Sequence, residues 1–166
     1  MDAANVDLKG FTNEFYRGLC TASIDPVLET LKYIKHETDV WLEITTLLIP
    51  GHNDSENEMH RLSEWILSNL GADVPLHFSA FHPDYKMTNI PPTPHSTLSR
   101  ARDIAINTGI HYVFAGNVID RIGASTYCHN CGKLIIGRHG YDISDWYLSN
   151  DNKCKFCQST CAGIFE

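Results

Sequence analysis

The most constraining feature of this chain is a set of cysteines near its C-terminus. Two Cys-x-x-Cys pairs, Cys128 with Cys131 and Cys154 with Cys157, are separated by 22 residues. Two thiolates three positions apart hold one metal ion from a single tight turn, and a second such turn completes a tetrahedron. Gly132, directly after the first pair, suits that turn. The spacing predicts a zinc-ribbon or rubredoxin-like module with four thiolate ligands.

The pattern predicts a structural metal rather than a catalytic one. Four thiolates close the coordination sphere and leave no position for a substrate. A segment as short as residues 120–166 also buries too little core to fold alone, so the metal supplies folding free energy. Zinc is preferred, and iron stays open because a rubredoxin-like site uses the same four thiolates.

The remaining two cysteines, and a histidine beside the first pair, are not expected to bind the metal. Cys20 stands alone and is typical of a core thiol, while Cys161 and His129 are spare potential ligands near the two pairs. The opening residues have neither a basic start nor an apolar run, so we expect no secretory signal. In a chain expected to be cytoplasmic, clustered thiols are better explained as metal ligands than as disulfides.

Charge and cysteine content both change near residue 120. Eight basic and fifteen acidic side chains precede it, so the whole formal charge of −7 lies there and residues 120–166 are neutral. We therefore predict two units, residues 1–119 and residues 120–166. An acidic chain has no general attraction for nucleic acid or anionic membranes, and its longest apolar stretch, residues 44–50, is far too short to span a bilayer. No nucleic-acid or membrane partner is expected.

Residues 1–119 alternate between strand and helix patterns. Strands are predicted at residues 3–8, 40–49, 76–81 and 111–115. Between them, Asp25 caps a helix that begins with Pro26, the capping box of Ser55 and Glu58 starts a second, and residues 97–107 form a third. This β-α alternation predicts an α/β fold, either a parallel sheet or part of a barrel. The chain is too short for a complete eight-stranded barrel, which takes about 250 residues.

Polar side chains stand at the ends of the predicted strands. Asp7 and Lys9 are two residues apart and share a face, which in a barrel looks into the mouth; a surface ion pair is the alternative. Glu43 interrupts an apolar strand and faces either inward or to an exposed edge. His82 closes the third strand and by itself is typical of a loop histidine. None of these positions alone identifies a function.

Taken in order along the chain, several segments resemble one enzyme family. They are Asn5–Phe11, Glu14–Tyr16, Leu48–Asp54, Phe81–Tyr85, Tyr112–Val118, Thr126–Cys128 and the final cysteine pair. The combination resembles the C-terminal half of the radical S-adenosylmethionine (SAM) enzyme of the AmmeMemoRadiSam system, a relative of the pyruvate formate-lyase activating enzymes. The likeness covers nearly the whole chain.

The resemblance implies a half-barrel of parallel strands, a partial (β/α) barrel, that binds SAM beside a [4Fe–4S] cluster. In such enzymes reductive cleavage of SAM gives a 5′-deoxyadenosyl radical that abstracts hydrogen from a substrate, which for activating enzymes is a glycine of a partner protein. By resemblance, Asp7 stands near the methionyl carboxylate through a cation, Lys9 neutralises that carboxylate, and His82 contacts the cofactor. An arginine on the second strand of activating enzymes has no match here, although Glu43 is near its place.

The chain departs from the family at the cluster motif. Cys-x-x-x-Cys-x-x-Cys is absent, and the spacing of Cys154, Cys157 and Cys161 is the reverse. Without three cluster ligands the chain lacks an electron donor for SAM cleavage. We therefore expect a chain that is inactive alone, has no catalytic residue of its own, and works with a missing N-terminal half or on a substrate protein. The alternative is a non-catalytic zinc-ribbon binding module on an α/β scaffold, which has no affinity for SAM.

Overall fold

The computed structural model describes residues 1–165 and begins with a parallel sheet. Along the chain come β1 (Ala3–Asp7), α1 (Asn13–Phe15) with a π-helical turn at Tyr16–Cys20, α2 (Asp25–Glu37), β2 (Trp41–Leu48), α3 (Glu56–Leu70), β3 (Leu76–Ala80), α4 (His95–Thr108) and β4 (Val113–Gly116). The four strands are parallel and lie in the order β1-β2-β3-β4. The predicted α/β fold with parallel strands is confirmed, and the predicted strand bounds fall within two residues of the observed ones.

The helix starts follow the sequence signals with two corrections. The prediction that Asp25 caps α2 is wrong, because the helix begins at Asp25 itself and Ile24 precedes it. Ser55 does cap α3, accepting a hydrogen bond from the Glu58 N–H. The capping box is nevertheless only half formed, because the Glu58 carboxylate instead accepts a 2.6 Å hydrogen bond from the Phe11 N–H. No helix among residues 1–165 is both long and apolar enough to cross a membrane.

One face of the parallel sheet is covered by α2, α3 and α4. Alternate residues of the strands are buried on that face, and Ile44, Leu76 and Phe78 have no exposed surface. The helices contribute Leu31 and Ile66 to the same core. Each such side chain stabilises the fold by about 2 kcal/mol relative to leaving it in water. This burial fixes the register, since a slip of one residue would turn the apolar set outward.

The opposite face of the sheet carries no helix among the described residues and is largely polar. It presents Asn5, Glu43, Thr45, His77 and Phe114, which are half-buried or exposed. Thr45 donates a 2.8 Å hydrogen bond to the Asn5 side chain, and His77 lies 2.7 Å from Glu43. Glu43 lies on β2, which is not an edge strand, and its side chain points to the helix-free face. There it hydrogen-bonds with Trp41 of the same strand and with His77 of β3.

A second, antiparallel sheet follows β4 and packs on this helix-free side. The short helix α5 (Arg121–Ala124) leads into β5 (Thr126–Tyr127), β6 (Leu134–His139) and β7 (Asp142–Trp146), which lie in that order. Its buried side chains, such as Ile135 and Ile136, form a cluster that includes Tyr112, just ahead of β4. Arg138 of β6 lies over the Phe114 ring. The division between residues 119 and 120 stays a prediction.

Candidate metal centre and cofactor-binding edge

The four predicted cysteine ligands meet at one point. Cys128 and Cys154 are buried, Cys131 and Cys157 are half-buried, and the four sulfur atoms all lie within 4.8 Å of one another. The sulfurs of Cys128 and Cys157 are 3.5 Å apart, and those of Cys131 and Cys154 are 3.8 Å apart. Four thiolates bound to one zinc ion at about 2.3 Å stand about 3.8 Å apart. The set therefore fits a single metal ion, and the identity of that metal stays a prediction.

Two equivalent turns present the thiolates. The Gly132 N–H donates to the Cys128 carbonyl at 2.8 Å, and the Gln158 N–H donates to the Cys154 carbonyl at 2.8 Å. Gly132 and Gln158 both adopt left-handed backbone conformations, with φ of 69° and 65°. Glycine adopts this conformation freely, whereas a residue with a side chain is strained there by about 1 kcal/mol. The glycine at position 132 therefore indicates the first turn in the sequence, whereas the glutamine at position 158 does not indicate the second.

The thiols differ in how readily they ionise. Burial raises the pKa of Cys128 to about 12. The Ser159 side chain and N–H hydrogen-bond to Cys157 and lower the pKa of that thiol to about 5. A bound cation overcomes the effect of burial, because it stabilises every thiolate that coordinates it. Four anions in a partly buried place need such a cation, which is the chemical reason to treat the set as a metal centre.

The spare thiols lie outside this centre, as expected of bystanders. Cys161 is buried beside Tyr112, and burial raises the pKa of the Cys161 thiol. Cys20 ends the π-helical turn, partly exposed, and packs against the helix-side core. The third spare ligand, His129, stacks on His111 with ring centroids 4.1 Å apart. The four-cysteine set includes none of the three.

The metal centre lies toward the amino ends of the parallel strands. His111 and Tyr112 are the last two residues before β4. His111 stacks on His129, the neighbour of Cys128 in the first turn. Tyr112 belongs to the same buried cluster as Cys128 and Cys154. The four-cysteine region therefore contacts the parallel sheet at the edge where its strands begin.

Asp7 and Lys9 lie at the opposite edge, where β1 ends. The Lys9 ammonium is 2.9 Å from the Asp7 carboxylate, and the two side chains are 43% and 53% exposed. His82 follows β3, is exposed, and is separated from the pair by β2. The structure thus puts all three residues at the carboxyl edge of the sheet, with Asp7 and Lys9 in contact and His82 apart. In open α/β sheets this edge is the usual place for a ligand.

A buried amide that sequence reasoning left without a role holds this edge together. Asn53 is 2% exposed and donates to the Lys9 carbonyl at 2.7 Å and to the Leu47 carbonyl at 2.8 Å. Its side-chain oxygen accepts a 2.7 Å hydrogen bond from the Ile49 N–H. Three backbone groups from the ends of two strands are satisfied by one side chain. The only signal in the sequence is an asparagine just after the turn at Pro50.

The loop formed by residues 8–11 is held by two further hydrogen bonds and packs closely at Gly10. The Tyr16 hydroxyl accepts a hydrogen bond from the Lys9 N–H at 3.1 Å, and the Glu58 carboxylate holds the Phe11 N–H. Burial raises the pKa of both Tyr16 and Glu58. Gly10 leaves no room for a side chain, because a Cβ there would lie 2.7 Å from the Phe15 ring. The exposed Asp7 and Lys9 side chains therefore extend from a rigid base.

Thr93 plays the same part beside His82. Its hydroxyl, 6% exposed as a residue, accepts a 2.9 Å hydrogen bond from the Phe81 N–H and donates to the Leu48 carbonyl at 2.5 Å. These bonds tie the end of β3 to the end of β2 just before His82. In the sequence Thr93 stands between Pro92 and Pro94, and nothing there indicates that it joins two strands.

The sequence has curated relatives, although no known family model matches it. It is 44% identical over 158 residues to an uncharacterized protein of Methanocaldococcus jannaschii, a match that covers 95% of this chain and 47% of that protein. It is 25% identical over 124 residues to the pyruvate formate-lyase 1-activating enzyme of Escherichia coli strain K12, covering 68% of this chain and 50% of that enzyme. The chain therefore spans about half the length of these relatives.

Solved structures share the fold. A domain of a pyruvate-formate lyase-activating enzyme from Bacteroides vulgatus matches with a TM-score of 0.60 and 16% identity, over 70% of this chain and 68% of that one. A radical SAM methyltransferase from Sphaerobacter thermophilus matches with a TM-score of 0.56 and 18% identity, over 78% of this chain and 37% of that one. At these identities the likeness concerns the fold. Together with the sequence match to the activating enzyme, it supports the predicted relationship to radical SAM enzymes.

The described residues fit one of the two groups that this relationship implies. An exposed ammonium and carboxylate at Lys9 and Asp7 suit the charged end of SAM. The four-cysteine set does not fit a [4Fe–4S] cluster, because such a cluster binds each thiolate to a different iron and so holds the sulfurs farther apart than one ion does. The set also lies at the opposite edge of the sheet from Asp7 and Lys9.

Proposed function

We propose that this chain is the C-terminal part of a radical SAM enzyme of the AmmeMemoRadiSam type, similar to the proteins that activate glycyl radical enzymes. The observation that carries the proposal is the carboxyl edge of the parallel sheet, where the Asp7–Lys9 pair follows β1 and His82 follows β3. The 25% identity to a pyruvate formate-lyase 1-activating enzyme supports it. A site at this edge accords with the general placement of ligands on α/β sheets.

In this proposal Lys9 neutralises the methionyl carboxylate of SAM, Asp7 stands beside it through a cation, and His82 contacts the cofactor from β3. The present Lys9–Asp7 pair is half-exposed, and such a pair is worth at most about 1 kcal/mol, so a ligand carboxylate displaces it at little cost. Asn53 holds the backbone beneath Lys9, so little ordering is needed when the ligand arrives. Bound SAM supplies, on one-electron reduction, the radical that abstracts hydrogen from the substrate.

We further propose that the four-cysteine centre holds a structural zinc ion. It is closed, half of its ligands are buried, and it packs at the amino ends of the strands, away from the proposed cofactor edge. A reducing, cytoplasmic compartment keeps such thiols available for the metal. The zinc then fastens the second sheet against the first and takes no part in the reaction.

The proposed partner is the other half of the same kind of enzyme, which carries the cluster motif. β1 has one neighbour, β2, within the sheet of the described residues. Its other side offers backbone groups to a further strand, as every edge strand does. The substrate is then shared by both halves and, by analogy with activating proteins, is a glycine of a separate protein.

Co-expression tests this proposal. This chain is produced with the part of the Methanocaldococcus relative that it does not match, and the product is purified without oxygen. The proposal predicts an equimolar complex with one zinc and about four irons. In the matched variant Cys128→Ser the zinc is lost while the iron stays, because the cluster ligands come from the other half. No association, or a complex without iron, would contradict the proposal, and a zinc-loaded complex with no affinity for SAM would favour the non-catalytic zinc-ribbon module.

A further inference from the structure

A groove runs between the helix-free face of the parallel sheet and the second sheet. Its volume is about 1270 Å³, which is ample for a small molecule. Glu43, His77 and Phe114 of the parallel sheet line one side, and Arg138 of β6 and Trp146 of β7 line the other. The proposed SAM-binding residues and the four cysteine ligands are not among the residues that line it. The groove is thus separate from both sites described above.

Arg138 brings a partly used guanidinium group to this groove. Its Nη1 donates to the Thr126 hydroxyl at 2.6 Å and to the Ala124 carbonyl at 3.3 Å, and its guanidinium carbon lies 5.7 Å from the centre of the Phe114 ring. Within residues 1–165, Nε and Nη2 have no hydrogen-bond partner. These two nitrogens form the side of the guanidinium that binds a carboxylate or phosphate through two parallel hydrogen bonds.

The neighbouring Glu43 carboxylate does not use these donors. One of its oxygens accepts a 3.1 Å hydrogen bond from the Trp41 indole, and the other lies 2.7 Å from His77 Nε2. The bond from His77 lowers the pKa of Glu43, so the carboxylate is ionised at neutral pH. Glu43 therefore acts on Arg138 only through space, and a second anion has room to bind the guanidinium directly.

Aromatic rings line part of the groove around these charges. His77 stacks on Phe114 with centroids 5.0 Å apart, and Trp146 meets Phe165 edge to face at 5.9 Å. Trp146 is 43% exposed, which is a large apolar side chain left open to solvent. A planar ligand would cover it and gain stacking energy. Flat apolar side chains beside the Nε–Nη2 side of Arg138 favour a ligand that is both planar and anionic.

We propose that the groove binds a planar aromatic molecule that carries an oxyanion, a carboxylate or a phosphate, with the oxyanion on the Nε–Nη2 side of Arg138 and the ring against Trp146. The site is additional to the proposed radical SAM function and does not depend on it. The chain as a whole is acidic, with a formal charge of −7, and does not attract anions. Binding of an anion in the groove therefore rests on Arg138.

The test uses the zinc-loaded full chain and three probes of the same ring system: 2-naphthoate, 2-naphthyl phosphate and the neutral 2-naphthamide. Calorimetry gives the affinities, and the indole N–H resonances of Trp41, Trp65 and Trp146 report the place of binding. Trp41 and Trp146 line the groove, whereas Trp65 packs on the helix-side core. We expect at least one anionic probe to bind about tenfold or more tighter than the amide and to shift Trp41 and Trp146 but not Trp65. Carboxylate and phosphate arms identify the preferred oxyanion.

Two charge variants separate the effect of Arg138 from that of Glu43. Arg138→Gln weakens the anionic probe by about tenfold or more, whereas Glu43→Gln leaves it unchanged or tightens it, because a nearby negative charge is gone. Arg121→Gln is the matched control, since Arg121 is an exposed arginine at the rim that pairs with Asp145. If Arg138→Gln does not fold, Arg138→Lys keeps the charge, loses the paired donors and still weakens binding. Equal binding of the amide and the anions, equal effects of Arg138→Gln and Arg121→Gln, a shift of Trp65, or no binding at millimolar concentration would each overturn the proposal.

Discussion

The two ends of the parallel strands are built in opposite ways. At the amino ends, the candidate metal ligands are themselves part of the packed structure: Cys154 has no exposed surface, and it belongs to the buried cluster of the second sheet. At the carboxyl ends, these tasks are separated. Asp7 and Lys9 stand exposed, while Asn53, a different and buried residue, fixes the backbone from which they extend. A substitution therefore has different consequences at the two ends.

Loss of the metal has the largest expected effect. A structural zinc contributes about 10–16 kcal/mol to the folding of small thiolate modules at neutral pH, so its removal unfolds the second sheet. Cys128→Ser, or a strong chelator, is expected to abolish bound zinc and the near-ultraviolet circular dichroism of the second-sheet aromatics. Elemental analysis and circular dichroism check this.

Cys20→Ser is the control for that experiment, because Cys20 lies outside the ligand set. It is expected to keep one zinc per chain. If Cys128→Ser keeps the metal, or Cys20→Ser loses it, the assignment of the ligands is wrong.

The anchor of the carboxyl edge comes next in size. Asn53→Ala leaves the Ile49 N–H and the Lys9 and Leu47 carbonyls without their partner. A buried group left unpaired costs about 1–3 kcal/mol. Only the bond to the Ile49 N–H is fully buried, and water partly replaces the bonds to the two part-buried carbonyls, so we expect a total loss of about 2–4 kcal/mol. Urea unfolding of the zinc-saturated chain measures it. Asn57→Ala, at an exposed position on α3, is the control and is expected to change the free energy of unfolding by less than about 0.5 kcal/mol.

Glu58 is expected to make the free energy of unfolding depend on pH. Burial raises its pKa in the folded chain above the unfolded value. The resulting stabilisation is present below the unfolded pKa, near 4.3, and is lost as pH rises through the folded pKa. Glu58→Gln keeps an acceptor for the Phe11 N–H without the charge. It should match the wild type at pH 4 or below and exceed it by up to about 1 kcal/mol at pH 7. A difference that is constant across this range would show that Glu58 is not held in a desolvated site.

The smallest effect on stability is expected at the exposed residues themselves. Asp7→Asn and Lys9→Gln each break an ion pair that is half in water, which is worth less than about 1 kcal/mol. Thermal unfolding should therefore place both variants close to the wild type. A large loss of stability in either would mean that the pair is structural, and the separation of tasks at this edge would be wrong.

The sequence was most informative where the signal is local. Each strand and helix pattern, and the spacing of each Cys-x-x-Cys pair, is read from residues a few positions apart. The alternation of those patterns predicted the parallel sheet, and the spacing predicted the four-cysteine set. Glu58 shows why other features were not. The capping box predicts that the Glu58 carboxylate accepts a hydrogen bond from the Ser55 N–H. In the structure that carboxylate instead accepts one from the Phe11 N–H, 47 residues away in the sequence.

The hydrogen bonds of Asn53 and Thr93, and the groove, also depend on contacts between residues that are far apart in the sequence. Thr93 joins β2 and β3 from a loop, and only the folded sheet brings its two partners together. Glu43 was open between two orientations because the sequence does not show that His77 and Arg138 face it from two different sheets. Gln158 has a left-handed backbone conformation in the second cysteine turn, and glutamine has no preference for that conformation that would reveal it in the sequence.

Titration of the co-expressed complex with SAM tests the central claim most directly. Calorimetry compares the wild type, Asp7→Ala and the control Asp103→Ala, which changes an exposed carboxylate on α4. If the carboxyl edge holds the cofactor, the wild type binds SAM, Asp7→Ala weakens the affinity by about tenfold or more, and Asp103→Ala leaves it within about twofold. An iron-loaded complex that does not bind SAM, or one in which the two variants bind it equally well, would contradict the account.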